Sequence, residues 1–207
     1  MVNATKRIAQ TAALLAVLYG ARRYYRNWGA TKAECRMPLP GDALIADPAI
    51  QTTEAVYVDA PVSAVWPWLM QLGRTNPDWP RLSAGDRIRL APEGWMGRSD
   101  GLTMRIAELV PEKYLVLVAG RPGQRWNAAW SFHIQPHWED RVRLLTRTRI
   151  ALRHPGEVFA MELVRPGIAL GTRGLLLGIK HRVERPLTSA PAQQPVTETQ
   201  HPATETG

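Results

Sequence analysis

RWNAAWSFHIQPHWEDRVRLLTRTRIAL, Arg125 to Leu152, is the stretch on which the fold turns. Its two halves, Arg125–Gln135 and Arg141–Leu152, alternate residue by residue, and a period of two marks a β-strand with one buried side. In the first half Trp126, Ala128, Trp130, Phe132 and Ile134 share one side, and Asn127, Ser131, His133 and Gln135 the other. In the second half Val142, Leu144, Thr146, Thr148 and Ile150 lie opposite Arg141, Arg143, Arg147 and Arg149. The turn QPHWED joins the two. The expectation is an antiparallel sheet with a greasy aromatic face and an arginine-studded, solvated face. His133, on the arginine side, is expected to meet solvent.

Working outward, Arg87–Leu90 repeats the arginine-out pattern around Ile88 and Leu90, and Leu102–Val110 and Tyr114–Ala119 read as further strands. TEAVYV (Thr53–Val58) is a β-rich run that stops at Asp59-Ala60-Pro61. Pro61–Leu72 then carries Val62, Val65, Trp66, Leu69 and Leu72 at helical spacing, with Asp59 expected to cap the helix through its side-chain oxygen. Pro67 falls within its first two turns. Gly156–Arg185 is a long closing helix that Pro166 is expected to kink. A strand, a short helix, a run of antiparallel strands and a long last helix make an α+β pattern. A sheet with one apolar face needs a cover, and the closing helix supplies it. The sheet wraps that helix.

The 207 residues, 45% apolar and 21% charged, suit one globular domain with extensions. A single cysteine excludes a disulfide framework and multi-cysteine metal or iron–sulfur sites, and the five histidines lack ligand spacing. No metal and no cofactor is expected. The net charge of +8 is uneven: residues 1–40 hold seven Lys/Arg and one acid, whereas 186–207 hold two acids and no Lys or Arg. The middle of the chain is only mildly basic. With no zinc-finger, RNP or helix-turn-helix pattern, no nucleic-acid partner is expected.

Ile8–Ala21 is uncharged and flanked by Lys6–Arg7 and Arg22–Arg23. As a helix it spans about 21 Å, short of the roughly 30 Å hydrocarbon core. Three readings stay open: a signal peptide, although no small-x-small cleavage site follows; a short anchor or interfacial helix meeting a membrane surface through residues 8–28; or a helix packed on the domain. Tyr19, Tyr24, Tyr25 and Trp28 suit an interfacial belt, and the basic residues that follow would hold the domain on the cytoplasmic side. The organisation is therefore residues 1–26 as a hydrophobic helix, 27–50 as an extended linker rich in Pro and Gly, 51–185 as the domain, and 186–207 as a Pro/Thr/Gln-rich disordered tail.

TTEAVYVDAPVSAVWPWLMQLG (52–73), LSAGDRIRLAP, the Trp130–Phe132 strand and LLLGIKHRVER resemble the SRPBCC superfamily. That superfamily takes in START-type and birch-pollen-allergen-type domains and proteins labelled polyketide cyclase/dehydrase-like. NWGATKAECRMPLPGDALIADP resembles the lead-in of a bacterial subgroup. The resemblance covers roughly 27–185 and implies a helix-grip fold, with the curved sheet gripping the last helix. It carries little about activity.

A catalytic role needs an inward ionisable group with neighbours that tune it. His133 sits on the wrong side, His137 and Asp140 fall in a turn, and Glu108 is in phase with Met104 and Ile106 but near the rim. Cys35 has no activating neighbour. Trp79, Trp95 and Trp138 lie in loops. The leading expectation is a non-catalytic carrier of a small hydrophobic ligand, lipid or polyketide-like, lined by Met104, Trp126, Trp130, Phe132, Thr146, Thr148, Met161 and Leu170. A cyclase- or dehydratase-like enzyme and a membrane-tethered interaction module without an open cavity remain alternatives. The outward arginines could also rest on anionic headgroups.

Overall fold

The computed structural model describes residues 2–73, 82–91, 102–119, 126–152 and 155–188; Trp79, Trp95 and the tail beyond 188 lie outside them. Six strands, β1 (Ile50–Val58), β2 (Arg87–Ala91), β3 (Leu102–Val110), β4 (Tyr114–Ala119), β5 (Trp126–Trp138) and β6 (Arg141–Leu152), form one sheet in the order β1-β6-β5-β4-β3-β2. Every neighbouring pair is antiparallel. The helices are α1 (Val2–Tyr25), α2 (Lys32–Arg36), α3 (Val62–Leu69) and α4 (Pro155–Thr188). The curved sheet with α4 laid along it is the helix-grip arrangement.

Cross-strand register sorts the side chains as the alternation requires. Phe132 faces Thr146, Trp130 faces Thr148 and Ile134 faces Leu144, all on the side toward α4. β1 adds Ile50, Thr52, Glu54, Val56 and Val58 to that inner face, through the pairs Glu54–Thr146 and Val58–Val142. The core runs from Met104, Ile106, Leu115 and Leu117 through Phe132 and Leu144 to Leu176, Ile179 and Val183 of α4, with Val65 and Leu69 of α3 packed in.

Two local expectations are corrected. α3 is capped by the backbone geometry of Pro61 with no side-chain hydrogen bond. Asp59 instead pairs with Arg141 at 2.6 Å and Lys180 at 3.7 Å, tying the strand end to β6 and α4. In β3 the register shifts between Ile106 and Glu108, and one extra residue in a strand inverts every side chain after it. Glu108 consequently opposes Val116 on the outer side and is exposed. α4 runs as a single helix through Pro166 to Thr188.

On β6 the arginine face is covered at Arg143 and Arg147 rather than solvated, while Arg87 and Arg89 on β2 are exposed as expected. Residues 27–49, expected as an extended connector, contain α2 and a 3-10 turn at Asp42–Ile45, and they lie across the outer face as a strap. Arg147, fully buried, donates from Nε to Thr53 Oγ1 (3.0 Å), from Nη1 to Met37 O (2.8 Å) and Asp42 Oδ2 (2.6 Å), and from Nη2 to Glu34 O (2.6 Å). Arg143 donates to both carboxylate oxygens of Glu34 and to Gly29 O. Two glycines allow the close approach. A Cβ on Gly29 (φ +70°) would fall 2.1 Å from Ala55 O, and one on Gly41 (φ +88°) 2.6 Å from a Val116 methyl. Asn27 Oδ1 and Trp28 O accept from the amides of Thr53 and Ala55, which satisfies the free edge of β1.

Candidate functional site

The inner face differs along its length. Phe132, Ile134, Leu144, Val142 and Thr146 are buried, and Leu176, Ile179 and Val183 of α4 close over that end. Toward the other end Ile50, Ala128 and Ile150 are still buried, whereas Trp130, Thr148, Thr52 and Leu152 are half-buried, as are Met161, Val164 and Ile168 on the first half of α4.

Of the eight residues expected to line a ligand site, Met104, Phe132 and Thr146 are buried on the inner face, and Trp130 and Thr148 stand half-buried at its open end. Met161 packs half-buried against the core from α4. The side chain of Trp126 lies outside the described residues. Leu170 is 52% exposed, in series with Leu163 and Leu177 at intervals of seven on the side of α4 turned away from the sheet. Trp130 and Phe132 rings meet at 4.8 Å. Thr146 Oγ1 accepts from Trp130 Nε1 (2.7 Å) and donates to Ser131 O (2.9 Å), so it fixes the indole and spends its proton within the sheet.

An inward acid stands on the inner face at Glu54. It is 3% exposed on β1, and its Oε2 is enclosed with no hydrogen-bond partner. Burial pushes its carboxyl up to about 7, against the pull of the Arg173 guanidinium on α4. Near neutral pH it can hold or release a proton. Arg173 lies over the Trp28 ring at 4.6 Å. The signal was in the sequence: Glu54 alternates with Val56 and Val58 in TEAVYV and so points the same way.

His133 is 4% exposed, buried beneath the strap rather than facing solvent. Burial first, and the nearby Arg147 cation second, bring its imidazole down to about 4, so it stays neutral. It lies on the outer face beside Tyr114, their rings 5.9 Å apart. Cys35 is half-buried and burial pushes its thiol up, which leaves it unreactive. His137 and Asp140 are at the surface, and Trp138 is exposed and stacked on His137. Among the described residues no group of three or more His, Cys, Asp or Glu could hold a metal ion, and no helix is long and apolar enough to cross a membrane.

Several solved structures share the arrangement at low identity. A polyketide cyclase-like protein from Corynebacterium glutamicum is 14% identical over 70% of this chain and 97% of its own, with a TM-score of 0.48. Norcoclaurine synthase from Thalictrum is 15% identical over 67% of this chain and 96% of its own, with a TM-score of 0.47. The Aha1 dimer from Colwellia psychrerythraea is 17% identical over 65% and 96%, with a TM-score of 0.47. No family model and no curated protein matches the chain. At these identities the likeness concerns fold alone, and the helix-grip description rests on the topology above.

Proposed function

We propose that the chain binds a small hydrophobic molecule between the sheet and the first half of α4. The observation that supports this is the set of half-buried apolar side chains, Trp130, Leu152 and Met161, left on the inner face beyond the closed end at Phe132 and Leu176. Apolar side chains left half-covered around an aromatic ring are what an apolar ligand would finish burying, at about 25 cal/mol per Å². Trp130, held by Thr146, forms the boundary between the two ends. The test is native mass spectrometry of the gently purified full chain, followed by organic extraction. Bound mass that extracts as a lipid or other apolar metabolite is expected, and Trp130→Ala should abolish it while the far-ultraviolet dichroism stays unchanged. A chain free of bound mass, before and after incubation with a panel of lipids and polyketides, would overturn the reading.

A finer part of the same proposal concerns α1, on which Ile8, Val17 and Tyr19 are exposed among basic flanks. Such a helix favours contact with an anionic membrane surface through residues 8–28. Flotation of the full chain with phosphatidylserine vesicles is expected, and recovery entirely in the protein fraction would remove this part.

A further inference from the structure

Among the inner-face polar groups Thr146 is already engaged with Trp130 and Ser131, and Thr52 and Thr148 sit two residues further along, at the open end. Glu54 lies between the closed end and that opening. Its Oε2 is enclosed and accepts nothing, although a buried carboxylate oxygen ordinarily takes one or more hydrogen bonds. The outer face shows how this chain treats carboxylates that serve its architecture. Glu34 takes Arg143 on both oxygens and Asp42 takes Arg147 and Arg149. Glu54 receives no such arrangement: among the described residues the charged group that acts on it is Arg173, reaching it as a field from α4.

Resting on the carrier reading above, we propose that Glu54 is the polar anchor of the ligand site, accepting the hydroxyl of an apolar alcohol or phenol. Charge selects the head group. Arg173 repels an ammonium and Glu54 repels a carboxylate, so a neutral hydrogen-bond donor is the chemistry that suits both. The groups facing Glu54 are Arg173 from α4, Thr146 from β6, and Thr52 and Val56 on its own strand. A site of this kind draws affinity from the apolar face and orientation from one carboxyl.

The experiment compares 2-naphthol with naphthalene, each titrated into the full chain and followed by tryptophan fluorescence at pH 6 and pH 8. Wild type is expected to hold 2-naphthol about 10- to 100-fold more tightly than naphthalene, the range of a charge-assisted hydrogen bond, and more so at pH 8. Glu54→Leu should bind naphthalene within about two-fold of wild type and lose the preference. Should that variant fail to fold, Glu54→Gln keeps the shape, and its preference should fall to a few-fold and no longer vary with pH. Equal binding of both probes to wild type, or a preference of undiminished size in these variants, overturns the anchor and leaves the carrier reading standing. Binding of neither probe to wild type overturns both.

Discussion

The outer face of the sheet buries two arginines, and Arg143 and Arg147 between them donate seven hydrogen bonds to the strap and to β1. The inner face buries the carboxylate of Glu54, whose Oε2 accepts nothing among the described residues. Both faces come from the same alternation in the same strands. The difference is what covers them: a chain segment carrying Glu34, Asp42 and free carbonyls on one side, and on the other a helix that presents mainly apolar side chains. Buried charge matched by partners stays ionised and serves architecture, whereas a buried carboxyl left partly unmatched is pushed toward its neutral form.

The contrast breaks most visibly at Arg147. Arg147→Met strands the Met37 and Glu34 carbonyls and leaves Asp42 with Arg149 as its remaining cation, and the expected loss is about 3–5 kcal/mol by urea unfolding at pH 7. A loss under about 1 kcal/mol would mean that the strap does not depend on its arginines.

The next effect is pH-dependent. His133 is neutral when folded, with its imidazole brought down to about 4, yet it takes up a proton near 6.5 when unfolded. Stability attributable to this site is intact above 6.5 and is lost as pH falls toward 4, by about 3 kcal/mol. His133→Phe should therefore gain on wild type by that amount between pH 6.5 and pH 4, measured as the difference in unfolding free energy. A constant difference would place His133 in water. Glu34 adds an acid-side loss of its own: Arg143 holds its carboxyl down at about 2, so its stabilising contribution is present above 4.5 and fades below.

A smaller effect belongs to the inner face. Thr146→Val removes the acceptor of the Trp130 indole and is expected to cost about 1–3 kcal/mol, with ligand affinity falling as the ring loosens. The smallest is Arg141→Ala, which breaks a largely exposed pair with Asp59 and should change stability by less than about 1 kcal/mol.

The strand pattern was legible because each strand carries its own period. Leu102–Val110, Tyr114–Ala119 and Arg141–Leu152 were readable to the residue from alternation and turn chemistry. The strap was not, because Pro38, Pro40 and Gly41 interrupt any periodicity, and coverage by an irregular segment leaves no local mark on the face it covers. One signal was available: Thr31 and Glu34 form a capping box, in which Glu34 also answers Arg143. Without that segment, alternation alone places His133, Arg143 and Arg147 in solvent. Glu108 was misplaced by a bulge that leaves no trace in the hydrophobic pattern. Glu54 was open to the same alternation that placed Val56 and Val58.

The most direct test of the contrast is the pH dependence of stability in wild type and Glu54→Leu between pH 4.5 and pH 8. The Glu54 carboxyl is pushed up to about 7 in the folded chain from 4.5, so the folded state holds its proton longer than the unfolded one. Stability from this site is full below 4.5 and declines as pH rises to 7. Wild type is expected to lose about 3 kcal/mol relative to the variant across that range and then to level off. A difference that stays constant, or that moves in favour of wild type as pH rises, would show that Glu54 is paired as fully as the carboxylates of the outer face, and would contradict the account.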